Sequence, residues 1–218
     1  MQLLDKEKII FAGDSVTDCG RKRPVGEGRY EGVGDGYVRQ IDTILNVCYP
    51  EMLFRIINMG ISGNTSRDLL NRFDDDVLAL CPTRVVILIG INDVWRHFDE
   101  PSLMSNLIDK AEYRQNVEKM LDKCVKNGIK VSCMTPYFME LNKDDPMRAM
   151  TDEFRAELLT LCREKAVPCV DLQAAFDEYL RFRHPAYIMW DRVHPGNIGG
   201  MIIAREYLRS IDFDRKLI

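Results

Sequence analysis

KIIFAGDS, residues 8–15, is the stretch on which the fold turns. Ile9 to Ala12 is apolar at every position rather than at alternate ones, and Gly-Asp-Ser follows at once. A continuously apolar run suits a strand whose two faces are both covered by helices. Gly13 permits a tight turn that would expose Ser15 at the edge of the sheet. Four further runs have the same character: FRIINMG (54–60), RVVILIG (84–90), IKVSCMT (129–135) and VPCVDL (167–172).

Between these runs the apolar positions recur at helical spacing. One face carries Tyr37, Ile41, Ile44, Leu45 and Cys48, and a second carries Leu69, Leu70, Phe73 and Val77. A third joins Tyr113, Val117, Met120, Leu121, Cys124 and Val125, with Asn127-Gly128 as its stop. Phe154, Leu158, Leu161 and Cys162 repeat the pattern, as do Met201, Ala204 and Leu208. Strands alternating with helices imply βαβ units with right-handed crossovers. The expectation is an α/β protein, a three-layer α/β/α sandwich on a five-stranded parallel sheet, with residues 1–218 as one domain.

Composition narrows the function classes. A formal net charge of −4, with no basic excess and no polybasic segment, speaks against nucleic acid and anionic membranes as partners. The apolar run at residues 9–12 is too short for a signal-peptide core or a membrane span, so a cytoplasmic protein is expected. Seven cysteines without a C-x-x-C pair read as free, buried thiols in a reducing compartment. Cys19 is the one beside the loop that carries the candidate chemistry. Asp74-Asp75-Asp76 reads as a solvated helix face, not a cation site, and no metal is expected.

In an open α/β sheet, chemistry gathers at the carboxyl ends of the strands. GDS (13–15), NMGISGNT (58–65) and GINDVWR (90–96) all fall there. Near the C-terminus, WDRVHP places Asp191 three residues before His194. At that spacing the carboxylate can reach His194 Nδ1 and leave Nε2 free for a hydroxyl, which is what a serine nucleophile needs from its base. Ser15 is the candidate nucleophile, and Asp14 supports its turn from outside the catalytic set. An oxyanion could be held by the Ser15 N–H, the Gly60 N–H and the Asn92 side chain. Singly, each of these is an ordinary turn or capping residue; together at the strand ends they form a catalytic set. His97 and His184 lack a comparably placed carboxylate and read as structural.

The blocks GDSVTD (13–18), NMGISGNT (58–65), GINDVW (90–95) and DRVHP (191–195) resemble those of the SGNH hydrolases, the GDSL family. That resemblance implies a flavodoxin-like sandwich, a Ser15–His194–Asp191 triad, oxyanion donors at Gly60 and Asn92, and no metal or organic cofactor. GDSVTDCGRKRPVGEG (13–28), GINDVWR (90–96), MTPY (134–137), DPMR (145–148) and WDRVHP (190–195) are similar, more narrowly, to intracellular acetylxylan esterases of xylan-degrading bacilli. The narrower likeness implies a small acetylated saccharide as substrate and a homo-oligomer. Trp95, Trp190 and Arg96 border the catalytic blocks and are candidates for contact with a sugar, as is the loop at 20–30. A lysophospholipase or thioesterase would use the same triad on a long acyl chain. A non-catalytic flavodoxin-like binder would need the phosphate-binding glycine loop that is missing after the first strand.

Overall fold

The computed structural model describes residues 3–28, 30–99, 107–211 and 213–214. Arg29 of the 20–30 loop and both ends of the span 1–218 lie outside the described residues. The sheet is built from β1 (Lys8–Gly13), β2 (Arg55–Gly60), β3 (Arg84–Leu88), β4 (Lys130–Met134) and β5 (Cys169–Val170). Among the described residues these five strands run parallel in the order β2-β1-β3-β4-β5. Each strand lies inside an apolar run of the sequence. The last run departs most, because Asp171 caps a helix and Leu172 is that helix's first residue.

The side chains of β1 show why its run is apolar throughout. Ile9 and Phe11 enter one core with Tyr37, Ile41, Phe176 and Tyr207. Ile10 and Ala12 enter a second core, on the other face, with Leu69, Tyr113, Leu121 and Phe154. The first core is closed by α2 (Tyr37–Cys48), α8 (Leu172–Leu180) and α9 (Gly196–Ser210). The second is closed by α3 (Ser66–Asn71), α6 (Lys110–Lys126) and α7 (Pro146–Glu164). This is the three-layer α/β/α architecture expected of the alternation.

Some helical faces differ from their expectation. The face through Leu69, Phe73 and Val77 is buried, yet its helix is broken. Arg72 leaves the helical region (φ −102°, ψ 2°) and separates α3 from α4 (Phe73–Asp76). Its guanidinium instead donates to Asn64 Oδ1 at 2.7 Å and to Gly13 O at 3.1 Å. Val125 is exposed beside the buried Cys124, and Met201 is exposed beside the buried Ile202 and Ile203. Each lies one residue from the inward row, about 100° around the helix. Asp74 pairs with Lys123 on the surface, and Asp76 pairs with the half-buried Arg72. The seven cysteines are free; Cys124, Cys133 and Cys162 are buried, Cys19, Cys48 and Cys169 are half-buried, and Cys81 is exposed, against the expectation that it would be buried. No helix among the described residues is long and apolar enough to cross a membrane.

Candidate active site

Ser15 is the first residue of α1 (Ser15–Asp18), directly beyond the carboxyl end of β1. Asp14 caps that turn, its carboxylate accepting the Val16 N–H at 2.9 Å. Gly13 has to be glycine here, since a Cβ would lie 2.3 Å from Leu88 O and 2.4 Å from Thr17 Oγ1. Adjacent chain therefore presses close and turns the backbone so that Ser15 faces outward.

The partners of Ser15 arrive on a turn before α9. His194 Nε2 lies 2.9 Å from Ser15 Oγ, and His194 Nδ1 lies 2.7 Å from Asp191 Oδ2. Nδ1–H donating to the carboxylate leaves the Nε2 lone pair directed at the serine hydroxyl. The other Asp191 oxygen accepts the N–H groups of Val193 and His194, both at 2.9 Å. Burial pushes the Asp191 carboxyl up, but hydrogen bonds from the His194 ring and these two N–H groups outweigh it and hold the carboxyl below its usual range.

The turn is braced by a segment whose function the sequence did not disclose. Tyr137 Oη donates to Val193 O at 3.0 Å, and Met139 N donates to Arg192 O at 2.9 Å. Arg192 pairs with Glu140 at 2.7 Å and lies over the Phe138 ring. The sequence signal was present as MTPY (134–137), but only as a likeness to relatives, with nothing to say that it would hold the base.

The oxyanion assignment needs one correction. The Gly60 N–H is not available, because it donates to Asn58 Oδ1 at 2.9 Å. Gly60 is glycine for packing: a Cβ there would lie 2.3 Å from Asp18 N. Three residues on, Gly63 has φ +82°, open space where a Cβ would stand, and an N–H with no partner among the described residues. The Ser15 N–H is likewise unpartnered among them. Asn92, at the start of α5 (Ile91–Asp99), is buried and uses one Nδ2 hydrogen on Asn64 O at 3.0 Å, which leaves the second free. The sequence segment NMGISGNT held both glycines, and spacing alone did not choose between them.

The candidate sugar contacts separate. Trp95 is brought to the site, its ring centroid 6.1 Å from that of His194. Trp190 stands 85% exposed beside Asp191. Arg96 is engaged with Asp99 on its own helix. His97 Nε2 bonds to Ile108 O and His184 Nδ1 accepts the Ala186 N–H, so both serve local structure as expected.

Asp14, next to the serine, and Asp93, on α5, are both buried carboxyls. Burial pushes Asp14 up to about 7, against the Val16 N–H and with help from the charge of Asp93. Burial likewise pushes Asp93 up to about 6, although Ser66 donates both its N–H and its hydroxyl to it. No cluster of three or more potential metal ligands occurs among the described residues.

With this geometry in view, the chain's relatives carry weight. The GDSL-like lipase/acylhydrolase family model matches residues 11–200. The chain belongs to that family. It is 44% identical to an acetylxylan esterase of Geobacillus stearothermophilus over 98% of both chains. Structures of catalytic mutants of that acetylxylan esterase match it at 42% identity over 98% of each chain. Their TM-scores are 0.95 for S15A, 0.96 for H194A and 0.95 for D191A. This GDSL-family chain has Ser15, His194 and Asp191 at the same numbers.

Proposed function

We propose that the protein is a serine carbohydrate esterase that removes acetyl groups from acetylated xylo-oligosaccharides or related small saccharides. The observation that carries this reading is the continuous hydrogen-bonded chain from Ser15 Oγ through His194 to Asp191. The identity of the Geobacillus acetylxylan esterase supports the choice of acetyl ester and of sugar.

In the proposed reaction His194 Nε2 takes the Ser15 proton as Oγ attacks the acetyl carbonyl. The Ser15 N–H, the Gly63 N–H and the free Asn92 Nδ2 hydrogen stabilise the oxyanion. His194⁺, steadied by Asp191, then protonates the departing sugar hydroxyl. Water, deprotonated by His194, attacks the acetyl-enzyme and releases acetate. No cofactor or metal takes part in this scheme. Trp95 forms a wall of the site beside His194, while Trp190 and Arg96 stand at its rim as contacts for the sugar.

Free thiols throughout the chain favour a reducing, cytoplasmic setting. Phe182, Tyr187 and Trp190, exposed within one short segment, favour association into a homo-oligomer. The test of the substrate class is turnover of a series of esters from acetate to decanoate beside acetylated xylo-oligosaccharides. The reading expects acetate esters to be preferred and acetate to be released from the oligosaccharides. Preference for chains of eight carbons or more would instead favour a lysophospholipase or thioesterase.

A further inference from the structure

The segment that follows β2 is held at every N–H but one. Ile61 N donates to Gly13 O at 3.0 Å, and Asn64 N donates to Ile61 O at 3.2 Å. Ser62 N donates to Asp18 Oδ2 at 2.9 Å, and Ser62 Oγ donates to the same oxygen at 3.0 Å. Of residues 61–64, Gly63 is the one whose N–H has no partner among the described residues. The 61–64 hydrogen bond, with Gly63 at φ +82°, is the signature of a type II turn, whose third residue needs positive φ. In such a turn the central peptide, here Ser62–Gly63, is the unit that can flip and reverse the direction of its N–H.

Asp18 is the group that grips this peptide from one side. It closes the short helix that Ser15 opens, so one rigid turn carries both the serine and the carboxylate. Asp18 is 3% exposed, and Arg23 Nη2 donates to its Oδ2 at 2.6 Å, balancing its charge. Burial pushes its carboxyl up, but the bonds from Arg23 and Ser62 prevail and hold it below its usual range. The backbone behind it is fixed as well: Asn58 Nδ2 donates to Thr17 O at 2.6 Å and to Asp18 O at 3.2 Å.

We propose that Asp18 is a positioning residue for the oxyanion site: by holding the Ser62 N–H and hydroxyl, it fixes the Ser62–Gly63 peptide so that the Gly63 N–H serves the transition state formed at Ser15. The inference rests on the esterase reading and extends it to a side chain that touches neither substrate nor reacting atoms. Removing Asp18 frees the peptide to flip. An interaction made only in the transition state is then weakened, which lowers kcat and leaves ground-state binding alone.

The experiment compares the parent with Asp18→Ala, Asp18→Asn and Ser62→Ala on an acetate ester, measuring kcat, KM and inhibition by phenylboronic acid, which forms a tetrahedral adduct on an active serine. Asp18→Ala is expected to lower kcat about 10–100-fold, at or below the lower end of the roughly 10²–10³-fold loss for an oxyanion donor removed outright, with KM nearly unchanged. Inhibition by the boronic acid should weaken in parallel. Asp18→Asn, whose Oδ1 still accepts from Ser62, should recover most of the loss, and Ser62→Ala should show a smaller loss of the same kind. If Asp18→Ala fails to fold, Ser62→Ala carries the test. Unchanged kcat in the folded variants, or a fall in kcat with unaltered boronic acid inhibition, would overturn the inference. A Ser15→Ala control separates the two levels: full activity in that variant would sink the esterase reading itself, whereas an inactive Ser15→Ala beside a fully active Asp18→Ala would sink only the role of Asp18.

Discussion

Ser15 rests on a buried framework, whereas Asp191 and His194 rest on a half-exposed turn. Around the serine, Asp14, Thr17, Asp18 and Asn58 are all buried, and side-chain bonds tie α1 to the end of β2. Around the base, the Asp191 and His194 side chains are 36% and 38% exposed, and Trp190 projects into solvent. The nucleophile is thus set by the core of the fold, at a cost in burying polar groups. The base is set by a local three-residue turn braced from the 137–140 segment. Substitutions at Asp14 and Asn58, in the framework around the serine, should therefore register mainly in stability, and those on the base side mainly in rate.

Short of removing the nucleophile itself, the largest effect should come from Asp191→Asn. An amide presents the wrong partner to His194 Nδ1, and kcat should fall on the order of 10⁴-fold. Unfolding free energy should change by less than about 1 kcal/mol, because the pair is substantially exposed. Steady-state kinetics beside urea denaturation checks both halves; a large loss of stability would erase the contrast between the two regions.

Asp14→Asn probes the serine side. The carboxyl has its ordinary value of 3.8 when unfolded and about 7 when folded, so the folded protein keeps a proton that the unfolded chain releases. Stability of the parent accordingly falls as pH rises from about 4 to about 7. Asparagine still accepts the Val16 N–H and has no proton to lose. The variant's stability relative to the parent should grow across that window by up to about 4 kcal/mol. A difference that stays constant between pH 4 and 8 would show that the carboxyl is not neutral in the fold.

Asn58→Ala removes one acceptor and three donor contacts at once: those to Gly60 N, Thr17 O, Asp18 O and Val33 O. With those groups left buried and unpaired, a loss of about 3 kcal/mol is expected in chemical denaturation. A loss below about 1 kcal/mol would mean that water replaces the side chain. Trp190→Ala should be the mildest, within roughly 0.5 kcal/mol of the parent in stability, since the ring is exposed; a larger drop at low protein concentration would show that the ring packs on something within its own chain.

Much of this contrast could be read in the sequence, and the unread part has a physical pattern. Apolar runs such as KIIFAG report burial on both faces directly, so the five strands are legible in the sequence. WDRVHP was legible because the Asp191–His194 contact is local, three residues long. The sequence hides the engagement of the Gly60 N–H, because its destination depends on a side chain two residues earlier bending back, and periodicity carries no record of hydrogen-bond partners. The break at Arg72 was hidden for a related reason: the apolar spacing continues through it while a guanidinium is drawn to Asn64 and Gly13. The outward positions of Val125 and Met201 are hidden because an apolar residue next to an inward row looks the same in sequence as one within it.

The central claim is tested most directly by acetate release from acetylated xylo-oligosaccharides, comparing the parent with a folded Ser15→Ala variant. The account predicts turnover by the parent and a loss on the order of 10⁶-fold in the variant. Equal release by the two proteins would contradict it, because Ser15 would then not be the nucleophile.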